Sequence, residues 1–283
     1  MKLKIALCQM NVIDNKEKNI TKAISMIKNA KKEGADIAIL PEMFNCPYDN
    51  EKFKEYAEFV EDSYTLKSIA DISKNNNIYV LAGSIPEKKI INETNEEKIY
   101  NTSFLFNDNG KILGYHRKMH LFDIDVKDKI YFKESDTLDH GDKVTVIDTE
   151  SKIGKIGIGI CYDIRFLELS RIMALEGAKI LIYPGAFNLT TGPAHWELLF
   201  KSRALDNQVF TIGVSPCLNE FNNYHTYGHS IVCNPWGEVI KQGSYEEELL
   251  IVDIDLDEID NTREEIPILK NRREDIYKLE KVI

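Results

Sequence analysis

No window of this 283-residue chain approaches the ~18 uninterrupted apolar residues that a membrane-spanning helix requires, and even Ile153 to Ile160 is interrupted by Lys155. The apolar stretch within Met1 to Gln9 is too short for the hydrophobic region of a secretory signal, so no targeting segment is expected. Cysteine is scarce. Cys8, Cys46, Cys161, Cys217 and Cys233 are odd in number and widely spaced, with no CxxC pair and no Cys/His cluster of zinc spacing. That pattern excludes a disulfide framework and predicts free thiols in a reducing cytoplasm. Positive charge is also deficient: 36 Lys+Arg stand against 46 Asp+Glu, a net charge of −10 that argues against a nucleic-acid or anionic-membrane partner. Glycine (15) and proline (8) are too few, and hydrophobic residues (43%) too many, for a disordered or fibrous chain. A globular protein with a sizeable core remains.

The most informative positive feature is an internal repeat. Glu33 to Asn45 aligns with Glu176 to Asn188 at eight of thirteen positions, each segment running through a strand into proline and then Phe-Asn. Asn76 to Leu81 parallels Asn207 to Ile212 in the same way. The hairpin signal at Asn107-Asp108-Asn109-Gly110, between Tyr100–Phe106 and Lys111–His116, parallels Ser230 to Val239. Around these segments the pattern predicts strands at Lys4–Met10, Ile37–Leu40 and Ile78–Gly83. It also predicts helices at Lys16–Lys32, closed by Gly34, and at Tyr64–Asn75. Two copies of a strand-helix unit, each unable to cover both faces of its own sheet, are satisfied by packing sheet on sheet with helices outside. The expected fold is therefore α/β, a four-layer α-β-β-α sandwich of two pseudo-symmetric halves forming one domain over residues 1–283. Thr149–Ser151 is expected as a surface loop between the halves. A charged C-terminal extension, about 253–283, is expected to wrap the body or a partner subunit.

Three places carry chemistry. Lys155 to Ile160 is a strand with alternate glycines that delivers Cys161 to a strand-to-helix elbow, a geometry that exposes a nucleophile beside free backbone N–H groups. A small buried core cysteine is the plainer reading. Glu42 follows Pro41 at the end of an apolar strand, where desolvation would raise its pKa toward that of a useful base. The repeat puts Gly185 at the equivalent position, so the scaffold itself needs no charge there. Tyr115 to His120 is a dense basic cluster around Lys118, which by itself reads as solvated surface. Its His116 and His120 lack further partners at metal-ligand spacing.

Leu40-Pro41-Glu42, Arg117-Lys118-Met119-His120-Leu121 and Gly159-Ile160-Cys161-Tyr162-Asp163 occur in the order of the Glu, Lys and Cys boxes of the nitrilase (carbon-nitrogen hydrolase) superfamily, which the chain resembles over nearly its whole length. Within it, the chain is most similar to the ω-amidase branch. That likeness is carried by Phe44 to Tyr48, His120 to Val126, Phe132 to Ser135 and above all Tyr183 to Glu197. The resemblance implies the same sandwich, a homodimer or higher homo-oligomer, no cofactor and no metal. It further implies that the terminal amide of α-ketoglutaramate or α-ketosuccinamate is hydrolysed through a cysteine thioester. In that scheme Glu42 is the general base and Cys161 the nucleophile. Lys118 and the Tyr162 backbone N–H stabilise the oxyanion, and Glu134 orients Lys118 or the substrate. Substrate contacts are expected from Arg165, Tyr48, Phe187, Thr190 and Thr191, with Arg165 offering a two-pronged carboxylate contact. An internal ion pair of Arg165 with Asp163 or Glu168 is the alternative. A deaminated-glutathione amidase or another aliphatic amidase is the competing activity, and a catalytically silent scaffold the competing class.

Overall fold

The computed structural model describes residues 1–91, 93–128 and 130–282. In chain order the first half holds β1 (Lys2–Gln9), α1 (Lys16–Lys32), β2 (Ile37–Ile39), α2 (Asn50–Tyr56), β3 (Glu58–Phe59), α3 (Tyr64–Asn76), β4 (Tyr79–Ile91), β5 (Glu96–Phe106) and β6 (Ile112–Arg117). A small hairpin of β7 (Asp123–Val126) and β8 (Ile130–Lys133) follows. The second half holds β9 (Thr145–Asp148), β10 (Lys155–Ile158), α4 (Leu167–Leu175), β11 (Ile180–Pro184), α5 (Gly192–Asn207), β12 (Phe210–Val214), β13 (Ile231–Cys233) and β14 (Val239–Gln242). β15 (Glu248–Asp255) and α6 (Asp257–Glu265) follow, and short 3-10 helical turns span Glu134–Asp136 and Cys161–Arg165.

The repeat in the sequence is a repeat of topology. β1, β2 and β4 lie parallel and β5 and β6 follow antiparallel; β10, β11 and β12 lie parallel and β13 and β14 follow antiparallel. Each half also has an antiparallel strand on its leading edge, β15 against β1 and β9 against β10. Side-chain alternation then builds the layers. Leu3, Ile5, Leu7, Ile37 and Ile39 from the first sheet meet Ile156, Ile158, Ile180, Ile182, Phe210 and Ile212 from the second in one apolar cluster. The intervening residues of the first sheet, Ala6, Cys8, Ala38 and Val80, face Ala23 and Ile27 of α1 and Leu66 and Ile69 of α3. Those of the second, Leu181 and Tyr183, face Met173 of α4 and Trp196 and Phe200 of α5. The four layers are α-β-β-α, and each fully buried Leu, Ile or Phe contributes about 1.5–3 kcal/mol to holding them.

Local signals place the elements. Asn15 caps α1 through Lys18 N, and Ser63 caps α3 through Leu66 N. Gly34 follows α1 at φ +82°, while α3 runs to Asn76 before Asn77 turns left-handed. Two expectations need correction. Thr149–Ser151 does not separate the halves: Thr145–Asp148 pairs with β10, so this segment is a turn inside the second sheet, closed by Thr149 N donating to Gly154 O. The expected extension also begins too early at 253. Leu250, Val252 and Ile254 alternate into the core, making residues through Asp255 an integral strand of the first sheet, and Ile259 of α6 is fully buried beyond it.

Candidate active site

β10 ends against crowded neighbours, which explains its glycines. A Cβ on Gly157 would stand 2.6 Å from Leu181, and one on Gly159 would stand 2.5 Å from the Tyr183 ring. Beyond them the chain turns sharply. Cys161 takes φ +46°, a left-handed conformation that costs a non-glycine residue about 1–3 kcal/mol and persists only where surroundings over-determine it. Asp163 supplies that determination. Its buried carboxylate accepts from Ile160 N (2.9 Å), His120 N (3.0 Å) and His120 Nδ1 (2.7 Å), and His116 Nε2 lies at 2.9 Å. Burial would raise the Asp163 pKa, but hydrogen bonds from His116 and His120 hold it well below the usual carboxylate range. The two histidines of the basic cluster thus face Asp163, not Cys161, and tie the loop bearing Lys118 to the elbow. Among the described residues no group of three or more His, Cys, Asp or Glu side chains is arranged to hold a metal ion.

Glu42 is delivered by β2 across the close approach at Gly83, where a Cβ would stand 1.8 Å from Leu40 O. Every oxygen of its buried carboxylate is engaged: Oε1 accepts from Asn101 Nδ2 (2.8 Å) and Lys118 Nζ (2.9 Å), and Oε2 from the Ala186 N–H (2.8 Å). The Cys161 thiol lies against the same carboxylate. Lys118 sits beyond the end of β6, its own N–H bonded to Asn101 O (2.9 Å), and its Nζ reaches Glu134 Oε1 at 2.9 Å. Glu134 is held in turn, since its Oε2 accepts from Phe122 N (2.6 Å) and its Oε1 from Tyr48 Oη (2.6 Å). Lys118 is thus a fully buried cation between two fully buried carboxylates.

That arrangement sets the proton affinities. Burial pushes the Glu42 carboxyl up, more than Lys118 pulls it down. Burial also acts to lower the Lys118 pKa, but Glu134 and Glu42 together outweigh it and keep the ammonium charged. The Cys161 thiol is raised well above 9.0 by burial and then by Glu42. A strengthened base thus stands beside a thiol held neutral, with a permanent cation next to both. The proton has somewhere to go when sulfur bonds to an electrophile, which is what acyl transfer needs.

Tyr162 lies edge-on to Phe122, and the Arg165 guanidinium lies 5.5 Å from the Tyr162 ring and 4.9 Å from that of Phe187. Among the described residues no carboxylate oxygen comes within 4.0 Å of Arg165, so the internal ion pair with Asp163 or Glu168 is not formed. Thr190 and Thr191 form a turn whose N–H groups both bond Asn188 Oδ1, as does the Thr191 hydroxyl. The Tyr48 hydroxyl belongs to the Glu134–Lys118 network, while its ring centroid lies 4.6 Å from that of Tyr224, tilted by 34°.

Sequence reasoning missed three members of the site: Asn101, Tyr224 and the Ala186 N–H. Asn101 had a signal, because Asn101-Thr102-Ser103 is a polar run in the middle of a strand and all three are fully buried. Ala186 had one in the repeat. Gly185 is the counterpart of Glu42; a Cβ there would stand 3.3 Å from Cys161 Cα, and the next residue's N–H bonds the Glu42 carboxylate. Tyr224, whose hydroxyl donates to Ala186 O, lies in a loop with no distinguishing pattern.

The carbon-nitrogen hydrolase family model matches residues 4–264. Omega-amidase NIT2 of Bos taurus is 47% identical over 277 residues, 98% of this chain and 97% of that protein. Nitrilase homolog 2 of Dictyostelium discoideum is 48% identical over 281 residues, 99% of this chain and 83% of that one. The crystal structure of Saccharomyces cerevisiae Nit3, a member of branch 10 of the nitrilase superfamily, superposes with a TM-score of 0.86 at 40% identity, covering 96% of this chain and 97% of that one. With buried glutamate, lysine and cysteine gathered where the two halves of this sandwich meet, and with similarity over nearly its full length, the chain belongs to the carbon-nitrogen hydrolase family.

Proposed function

We propose that this protein is an ω-amidase that hydrolyses the terminal amide of α-ketoglutaramate or α-ketosuccinamate, releasing ammonia and the dicarboxylate. The observation that carries the reading is the Glu42–Lys118–Cys161 cluster with an Arg165 that meets no carboxylate among the described residues, in a chain 47% identical to an omega-amidase over nearly its full length. Glu42 takes the thiol proton as Cys161 Sγ bonds to the amide carbon, and the carbonyl electrons move onto oxygen. Lys118 Nζ and the Tyr162 N–H, at the start of a helical turn where N–H groups have no intrahelical acceptor, stabilise that oxyanion. Glu42 returns the proton to the leaving nitrogen and ammonia departs. Water, deprotonated by Glu42, then attacks the thioester, and the acid leaves with Cys161 restored. Glu134 orients Lys118, as its 2.9 Å contact supports, and Tyr48 steadies Glu134. Arg165 receives the substrate's free carboxylate, with the Phe187 ring and the Thr190–Thr191 turn beside it.

The whole chain acts as one domain in this reading, since both halves supply the site. Leu167 and Leu175 of α4 and Leu198 and Leu205 of α5 remain exposed on the outer helical layer, which supports a homodimer or higher homo-oligomer joined there. Five buried, unbridged cysteines support a reducing cytoplasm. Ammonia release from α-ketoglutaramate, deaminated glutathione and a short uncharged aliphatic amide tests the specificity. α-Ketoglutaramate should give the highest kcat/KM, and preference for deaminated glutathione would replace this reading with the competing amidase.

A further inference from the structure

Arg165 meets an imidazole where a carboxylate would be its ordinary partner. Its Nη1 lies 3.1 Å from Nδ1 of His195, in the first turn of α5. A guanidinium only donates, so Nδ1 must accept and the ring must be neutral, with its proton on Nε2. The surroundings favour that state, because the slight burial of this exposed ring and then the Arg165 cation both lower the His195 pKa below 6.5. Trp196, next along the helix, is buried and its Nε1 donates to His229 O at 2.7 Å, which pins this turn to the body.

The other sides of Arg165 show what is left over. Tyr162 and Phe187 rings flank the guanidinium, while its Nε is buried without a hydrogen-bond partner among the described residues. A carboxylate in place of His195 would hold Arg165 equally well but would neutralise it and compete with any anionic ligand. A neutral acceptor restrains the side chain and leaves the charge unspent.

We infer that His195 is a specificity-determining positioning residue: through Nη1 it holds Arg165 with the Nε side free for the substrate's carboxylate. The inference rests on the reading of Arg165 as the carboxylate contact. Its test compares His195→Leu, which removes the acceptor, with His195→Asn, whose Oδ1 can replace Nδ1, on α-ketoglutaramate and on a short uncharged amide. His195→Leu should raise KM for α-ketoglutaramate about tenfold, the loss of one charge-assisted hydrogen bond, with kcat and the uncharged amide nearly unchanged. His195→Asn should recover most of that loss. Equal changes on both substrates, or no change in KM, overturn the role of His195. Arg165→Lys, measured alongside, separates the two failures. If it loses the preference for the charged substrate while His195→Leu keeps it, only the role of His195 falls; if it too keeps the preference, the Arg165 reading falls with it.

Discussion

Lys118 is the residue whose environment says most about the chemistry. A lone buried ammonium would lose its proton, and here two carboxylates at 2.9 Å prevent that. Lys118→Arg keeps the charge but brings a wider planar fork into a space shaped for a point charge, so kcat should fall by at least about a hundredfold, in line with loss of an oxyanion donor. A near-normal kcat would remove Lys118 from the oxyanion contact. Glu42 gives a second expectation with a definite sign. As the proposed base, Glu42 must be ionised to act, and burial raises its pKa above 4.5, so the acid limb of the kcat/KM profile should lie above 4.5 and vanish in Glu42→Gln along with activity. A limb at or below 4.5 would mean that a different group is titrating.

The Cys161 elbow depends on Asp163, which joins the end of β10, the 116–120 segment and the first turn after Cys161. Asp163→Asn should cost about 3 kcal/mol in denaturant unfolding, because it removes the charge that the buried His116, the half-buried His120 and two backbone N–H groups are arranged around. A depressed folded pKa means that this contribution is present above the unfolded value of 3.8 and is lost as pH falls below it. The stability difference between wild type and variant should therefore shrink in acid below pH 3.8; a difference that persists there would assign the effect to packing. The elements that could be read from the sequence had local signals: Gly34 after α1, the apolar run of β2 stopped by Pro41, and alternate glycines at 157 and 159 before the elbow. The partners of Asp163 were not legible. The spacing of His116 and His120 is compatible with a metal, a nucleophile or a carboxylate, and only the packing of β6 beside β10's end decides among them.

The two halves of the molecule are related by their repeat, and the site uses the difference between them. One copy ends Pro41-Glu42 and the other Pro184-Gly185, and the second copy's N–H at Ala186 holds the first copy's carboxylate. This much of the architecture was readable from thirteen aligned positions. The boundary between the halves and the start of the C-terminal extension were misplaced because edge strands β9 and β15 have no counterpart within the repeated unit as the sequence displays it. The outer layer carries its own expectation. Wild type should elute and scatter at twice the 32.5 kDa of one chain or a higher multiple, and Leu198→Asp with Leu205→Asp should shift it toward a single chain. An unchanged mass in the double variant would move the interface elsewhere.

Ammonia release from α-ketoglutaramate by wild type and Cys161→Ala, with intact-mass analysis of the wild-type enzyme on a slow ω-amide substrate, tests this chemistry most directly. Wild type should release ammonia and carry one acyl group per chain, on Cys161 and on none of the other four cysteines, while folded Cys161→Ala should do neither. Turnover near the wild-type rate in Cys161→Ala, or an acyl group found on Cys46 or Cys217, would contradict it.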